Sequence, residues 1–169
     1  MKKIIIGLLV IGFTLQSFAQ VVNEGMLDEV VVYATNYKYL TTAGTRDAAE
    51  PVKMLERKVA DFDFKESELY QDEWDFYKVS FYIPEGKIVA AYDKDGNILR
   101  TIEKFKNIKV PKSVVASVSK RFPGWVIYED VYKVNYHKDK GVTKIYKLVL
   151  ENGDKQIKVK TDENGNFIK

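Results

Sequence analysis

The sequence predicts an α+β fold built from two tandem repeats, each a helix packed on an antiparallel β-sheet. Three observations carry that expectation. First, Tyr77 to Arg100 ("YKVSFYIPEGKIVAAYDKDGNILR") aligns without a gap on Tyr146 to Lys169 ("YKLVLENGDKQIKVKTDENGNFIK") at an offset of 69 residues. Tyr77, Lys78, Ile88, Asp93, Gly96 and Asn97 meet identical residues at Tyr146, Lys147, Ile157, Asp162, Gly165 and Asn166. Self-similarity at a fixed spacing marks a repeated structural unit. Second, Pro51 to Phe62 aligns on Pro111 to Phe122 at an offset of 60, upstream of each strand block. Third, the apolar period changes from helical to alternating between those two kinds of segment.

Residues 1–19 read as a signal peptide. Lys2 and Lys3 form a short positive region, Ile4 to Leu15 is mostly apolar, and Ser17-Phe18-Ala19 places small residues where signal peptidase requires them. The apolar run is shorter than the ~20 residues that a membrane span needs. Cleavage after Ala19 is expected, with the mature protein periplasmic or secreted. Residues 20–50 belong to neither copy. "LDEVVVYATNYKYL" reads as a strand, rich in β-prone Val30, Val31, Val32 and Tyr33. It is expected to cover an edge of its own sheet or to pair with a partner's. "TTAGTRDAAE" reads as a linker.

Repeat 1 spans 51–109. Val52, Leu55, Val59 and Phe62 form one stripe at helical period, and Pro51 suits the first helical turn. Tyr77, Val79, Phe81 and Ile83 then share one strand face, as do Ile88, Ala90 and Tyr92. Repeat 2 spans 110–169. Its helix carries Val114, Val115, Val118 and Phe122 and is stopped by Pro123-Gly124. Glu85-Gly86 and Asn152-Gly153 read as tight turns, and Asp95-Gly96 and Asn164-Gly165 as stronger ones, because glycine supplies the positive φ that hairpin turns require. The two offsets differ by nine residues. The extra length is expected in a longer hairpin loop at Tyr136 to Lys144.

An apolar share of 46% and an aromatic share of 13% argue for a folded globule. With no cysteine, disulfides, thiolate metal sites and lipidation at a cleavage-site thiol are excluded. Once Lys2 and Lys3 leave, the balance is 25 bases to 24 acids, so no general electrostatic pull towards nucleic acid is expected. The charge is uneven, however. Asp61 to Asp75 holds seven acids and one base, whereas Val110 to Lys169 holds 12 bases and 7 acids. Besides solvated surface, this pattern suits an acidic patch and a basic face that meet each other or a partner.

"VPKSVVASVSKRFPGW", followed by aromatic-rich strands and "YKLVLENGDKQIKVKTDENGNFI", resembles the PepSY-like, beta-lactamase-inhibitor-like domains of secreted Bacteroidetes (flavobacterial) proteins. The matching elements are Pro111, Phe122, Pro123, Tyr146, Asp162 and Gly165; residues 51–105 match more loosely, with Phe62-Asp63 in place of Phe-Pro. The resemblance implies a tandem helix-on-sheet architecture and an inhibitor, sensor or binding module without catalytic residues. Some similar flavobacterial chains are described as nicotinate-nucleotide adenylyltransferases. Those enzymes use a His-x-Gly-His phosphate site, whereas this chain has one histidine, His137, and no glycine-rich strand-to-helix loop.

His137, in "NYHKDKG", is expected in an exposed loop and lacks the clustered ligands of a metal site. "DKDGN" at Asp93 to Asn97 has Gly96 at position 4 and Lys104 at position 12, which reads as a turn and not as a calcium loop. Ser113, Ser117 and Ser119 lie on a helix without a partnering base, and Asp72 with Asp75 reads as acidic loop. No catalytic residue, cofactor or metal is expected. The lead is aromatic. Trp74, Tyr82, Trp125, Tyr128 and Tyr132 are expected on an open sheet face, where rigid rings suit a protein or peptide partner in the cell envelope. The functional expectation is a non-enzymatic binding module that uses a sheet face or edge strand. A small-molecule or envelope-stress sensor with a pocket between the repeats, and a structural envelope protein, are the alternatives.

Overall fold

In the computed structural model, residues 34–44 and 47–169 are described. The signal peptide and Val30 to Tyr33 lie outside the described residues. The elements run α1 (Tyr37–Ala43), α2 (Glu50–Asp61), β1 (Phe76–Ile83), β2 (Gly86–Asp93), β3 (Ile98–Lys106), α3 (Lys112–Arg121), β4 (Val126–His137), β5 (Gly141–Asn152) and β6 (Lys155–Thr161). The fold is α+β, and the strands form one antiparallel sheet in chain order, β1 to β6.

Alternation decides which side of each strand meets the helices. Ile88, Ala90 and Tyr92 on β2, Phe105 on β3, Tyr132 and Val134 on β4, and Tyr146, Leu148 and Leu150 on β5 are buried on one face. The apolar stripe of α2 (Val52, Leu55 and Val59) and that of α3 (Val114 and Val118) close over them. Burying a large apolar side chain fully contributes roughly 1.5–3 kcal/mol, so this shared face dominates the stability. Rings fill the seam between the halves: Phe105 lies 6.4 Å from Tyr132, and Tyr132 stacks on Tyr146 at 4.4 Å.

The two Asp-x-x-Gly-Asn turns have one geometry. Asp93 Oδ1 accepts from the backbone N–H of Asp95 and of Asn97, each at 2.9 Å, and Asp162 Oδ1 accepts from those of Asn164 at 2.9 Å and Asn166 at 2.8 Å. Gly96 and Gly165 have φ of 81° and 86°, a region open to glycine at little cost. Asn36 secures the first turn: its side chain donates to Gly96 O at 3.1 Å and accepts from Ile98 N at 2.8 Å.

Three local expectations need correction. Tyr37 to Leu40, read as strand, is helical, and Thr41 to Ala43 of the expected linker continues α1. Tyr39 and Ala43, four residues apart, are the buried pair of that turn, so helical period prevails once the valine run ends. The predicted long loop at Tyr136–Lys144 is a tight turn at residues 138–140, with Gly141 at φ 78°. The added length lies in β4, which follows α3 directly where the first half has the acidic stretch 62–75. His137 therefore ends β4 opposite Gly141 and is not in a loop. Its Nδ1 accepts from Asp139 N at 3.2 Å.

Candidate functional site

Helices cover one face of the sheet, no helix among the described residues covers the other, and the chemistry of that open face differs from the aromatic face expected. The register places like charges directly opposite one another. Lys87 on β2 pairs with Lys104 on β3, and Lys104 pairs with Lys133 on β4. One row along, Lys106 faces Val131, which faces Lys147, which faces Lys160. Facing lysines about 4.8 Å apart repel each other and weaken a sheet unless anions lie over them. Among the described residues, none of these lysines forms an ion pair. Beside the Lys87–Lys104–Lys133 row runs apolar surface: Val89 faces Ile102, which is 48% exposed, and half-buried Ile145 extends the lysine row itself on β5, opposite Lys133. The face is thus a mixed surface of lysine and aliphatic side chains.

The five aromatic residues proposed for binding do not converge. Tyr82 is on the open face, 66% exposed, with Lys87 Nζ 5.9 Å from its ring centre. Trp74 is 60% exposed in the acidic stretch before β1, its indole N–H donating to Gln71 Oε1 at 3.3 Å. Tyr128 is exposed at the start of β4, and Trp125 is half-buried beside it. Tyr132 is a correction: it is buried on the helix side, stacked on Tyr146. A β-bulge between Ile127 and Glu129 is the reason. Strict alternation would put Tyr128, Tyr132 and Tyr136 on one face, and the extra residue turns Tyr128 outward while Tyr132 and Tyr136 stay in.

The expected stripe of α3 also divides. Val114 and Val118 are buried, whereas Val115 is 41% exposed. It lines a groove of about 540 Å³ between α3 and the start of β4, together with Trp125, Val126, Tyr128, Glu129 and Asp130. Asp130 is buried, and its Oδ2 has no hydrogen-bond partner. Burial pushes its carboxyl up to about 6, opposed by the backbone N–H of Ile108 that it accepts from.

The sequence reading missed a buried polar cluster between α1, α2 and the sheet. Glu103 Oε1 accepts from the Tyr39 hydroxyl at 2.8 Å and from the Thr101 hydroxyl at 2.7 Å. Glu56 of α2 lies against Glu103, and both are fully buried. Burial, then the charge of Glu103, pushes Glu56 up to about 8; burial pushes Glu103 up to about 7 against the pull of its donors and Lys144. Lys144, nearly buried, pairs with Glu163 at 3.2 Å. A signal for this cluster was present in the inward parity of Thr101, Glu103 and Phe105 and in Glu56 beside Leu55 on the α2 stripe. The cluster binds elements together and is closed to solvent, which suits architecture better than turnover. Among the described residues, no group of three or more His, Asp or Glu side chains is placed to hold a metal ion. No helix among them is long and apolar enough to cross a membrane.

No family model and no curated protein matches the chain, so the PepSY-like resemblance stands on the residues quoted for it. Among solved structures, a BLIP-like protein from Bacteroides fragilis superposes with a TM-score of 0.34 at 14% identity. The match covers 75% of this chain and 86% of that one.

Proposed function

We propose that this chain is an exported, non-enzymatic binding module that recognises an acidic protein surface through the open face of its sheet. One observation carries the reading: adjacent rows of lysines, mutually facing and without ion pairs among the described residues, lie beside exposed aliphatic surface on a face that no described helix covers. Carboxylates of a partner would relieve the repulsion, and Ile102, Val89 and Tyr82 would supply the desolvated centre such contacts require. The proposal includes export after cleavage at Ala19. It also includes descent of residues 51–109 and 110–169 from one duplicated unit, which the matching turns at Asp93 and Asp162 support.

The test compares capture from envelope extract by the wild type and by a Lys87→Gln, Lys104→Gln, Lys133→Gln variant. Because it removes repulsion, the variant is expected to melt no lower than the wild type. An acidic protein held by the wild type, released at about 1 M salt where screening acts within about 3 Å, and lost by the variant is the expected result. Equal capture by both proteins would remove the face from the mechanism.

A further inference from the structure

The pairing of β4 is incomplete at its start. β3 pairs with β4 only from Val131 onward, because Lys106 is its last residue and Asn107, at φ 50°, turns the chain away towards α3. Val126, Ile127 and Glu129 therefore pair with β5 on one side, with Tyr128 bulged between them, and the stretch has no strand on its other side among the described residues. A bare strand edge presents backbone donors and acceptors that another extended chain can satisfy. This stretch is four residues long, about 13 Å at ~3.3 Å per residue. It lines the groove together with Val115 of α3 and Trp125.

The groove also has a charge. Glu129 and Asp130 line it, no lysine or arginine does, and Asp130 holds a buried carboxylate oxygen without a donor. Trp125 and Tyr128 add ring faces that attract cations. We infer that this groove takes an extended peptide bearing a basic side chain, added as a short strand to the uncovered edge of β4 in the line that β3 vacates. Backbone pairing supplies the docking, Val115 and Trp125 hold an apolar side chain, and the acidic wall selects lysine or arginine. The inference is independent of the open-face reading, since it uses other residues and the opposite charge.

The test is a heteronuclear NMR titration of the chain with three blocked pentapeptides. One alternates valine and lysine, one alternates valine and glutamate, and the third is the first with alternate amides N-methylated. The expected result is saturable shifts at the amides of Val126 to Asp130 and at the Trp125 indole with the lysine peptide. Binding should be several-fold weaker with the glutamate peptide and absent with the N-methylated one. A Val115→Lys variant, altered at an exposed helix position, should lose the response by placing an ammonium in the groove. Shifts confined to the lysine-rich face, equal binding by any two of the peptides, or no shift at millimolar peptide would each overturn the inference.

Discussion

Glu56 and Glu103 are neighbouring buried carboxyls, and their protonation has a consequence for stability. Unfolded, each group titrates near the ordinary carboxyl value of 4.5; folded, Glu56 rises to about 8 and Glu103 to about 7. The folded state therefore binds more protons than the unfolded state across the interval between. Stability from this pair is fully present below about pH 4.5 and is lost as pH rises through the folded values. Asp130 acts in the same direction up to about 6, so the diagnostic window for the pair lies above that. Between pH 6.5 and 8.5 the wild type should lose stability as pH rises, by about 1.4 kcal/mol per pH unit near pH 7.5, where the folded pair holds about one proton more than the unfolded chain. Glu56→Gln keeps a donor towards Glu103 without a titrating proton. It should match the wild type at pH 5, exceed it at pH 8.5 and show a flatter slope in urea melts. Parallel slopes would mean that Glu56 does not carry the pH dependence.

The two Asp-x-x-Gly-Asn turns are equal in backbone geometry and unequal in surroundings, which gives a prediction at the level of elements. A Cβ at Gly96 would meet only the Lys65 side chain, at 3.4 Å, whereas at Gly165 it would lie 2.7 Å from the Ser113 carbonyl of α3 and collide with Ser117. Gly96→Ala should cost about 1–2 kcal/mol for its left-handed backbone alone. Gly165→Ala should cost clearly more, because α3 must shift as well; urea midpoints of the two variants measure the difference. Equal losses would show that the second turn is not braced by its helix. These turns were readable in the sequence because their chemistry is local: an aspartate, a glycine at positive φ and an asparagine within five residues. The stripe of α2 and the alternation of β2 were readable for the same reason. Tyr132 was not, because a single bulged residue, whose cause lies in pairing with β5, reverses the face of Tyr128 against its own periodicity. Nor was the Glu56–Glu103 pair, which joins residues from a helix and a strand that only the folded chain brings into contact. The lysine rows needed the register: Lys87, Lys104 and Lys133 are scattered in sequence and become neighbours across three strands.

A chain read as two repeats suggests two folding units, but the geometry of the whole molecule argues for one. β3 closes the first half and β4 belongs to the second, and they pair in unbroken register from Arg100–His137 to Lys106–Val131. Cut there, each half would expose a long edge together with the rings of Phe105, Tyr132 and Tyr146 that fill the seam. All described residues fall in one compact unit, consistent with a single cooperative core. Urea unfolding followed by far-UV circular dichroism and by tryptophan fluorescence should therefore give coincident transitions, because Trp74 and Trp125 report on different halves. The seam variant Phe105→Ala should lower both transitions together, by about 3–5 kcal/mol for a buried phenylalanine. If the halves were independent domains, the signal of a Trp74→Phe variant, which retains only Trp125, would separate from the overall loss of secondary structure. In that case the continuous sheet would be a docking of two modules, and the open lysine face could be remodelled by sliding at β3–β4. A single transition makes that face a rigid surface, with its lysine rows set in place before any partner arrives.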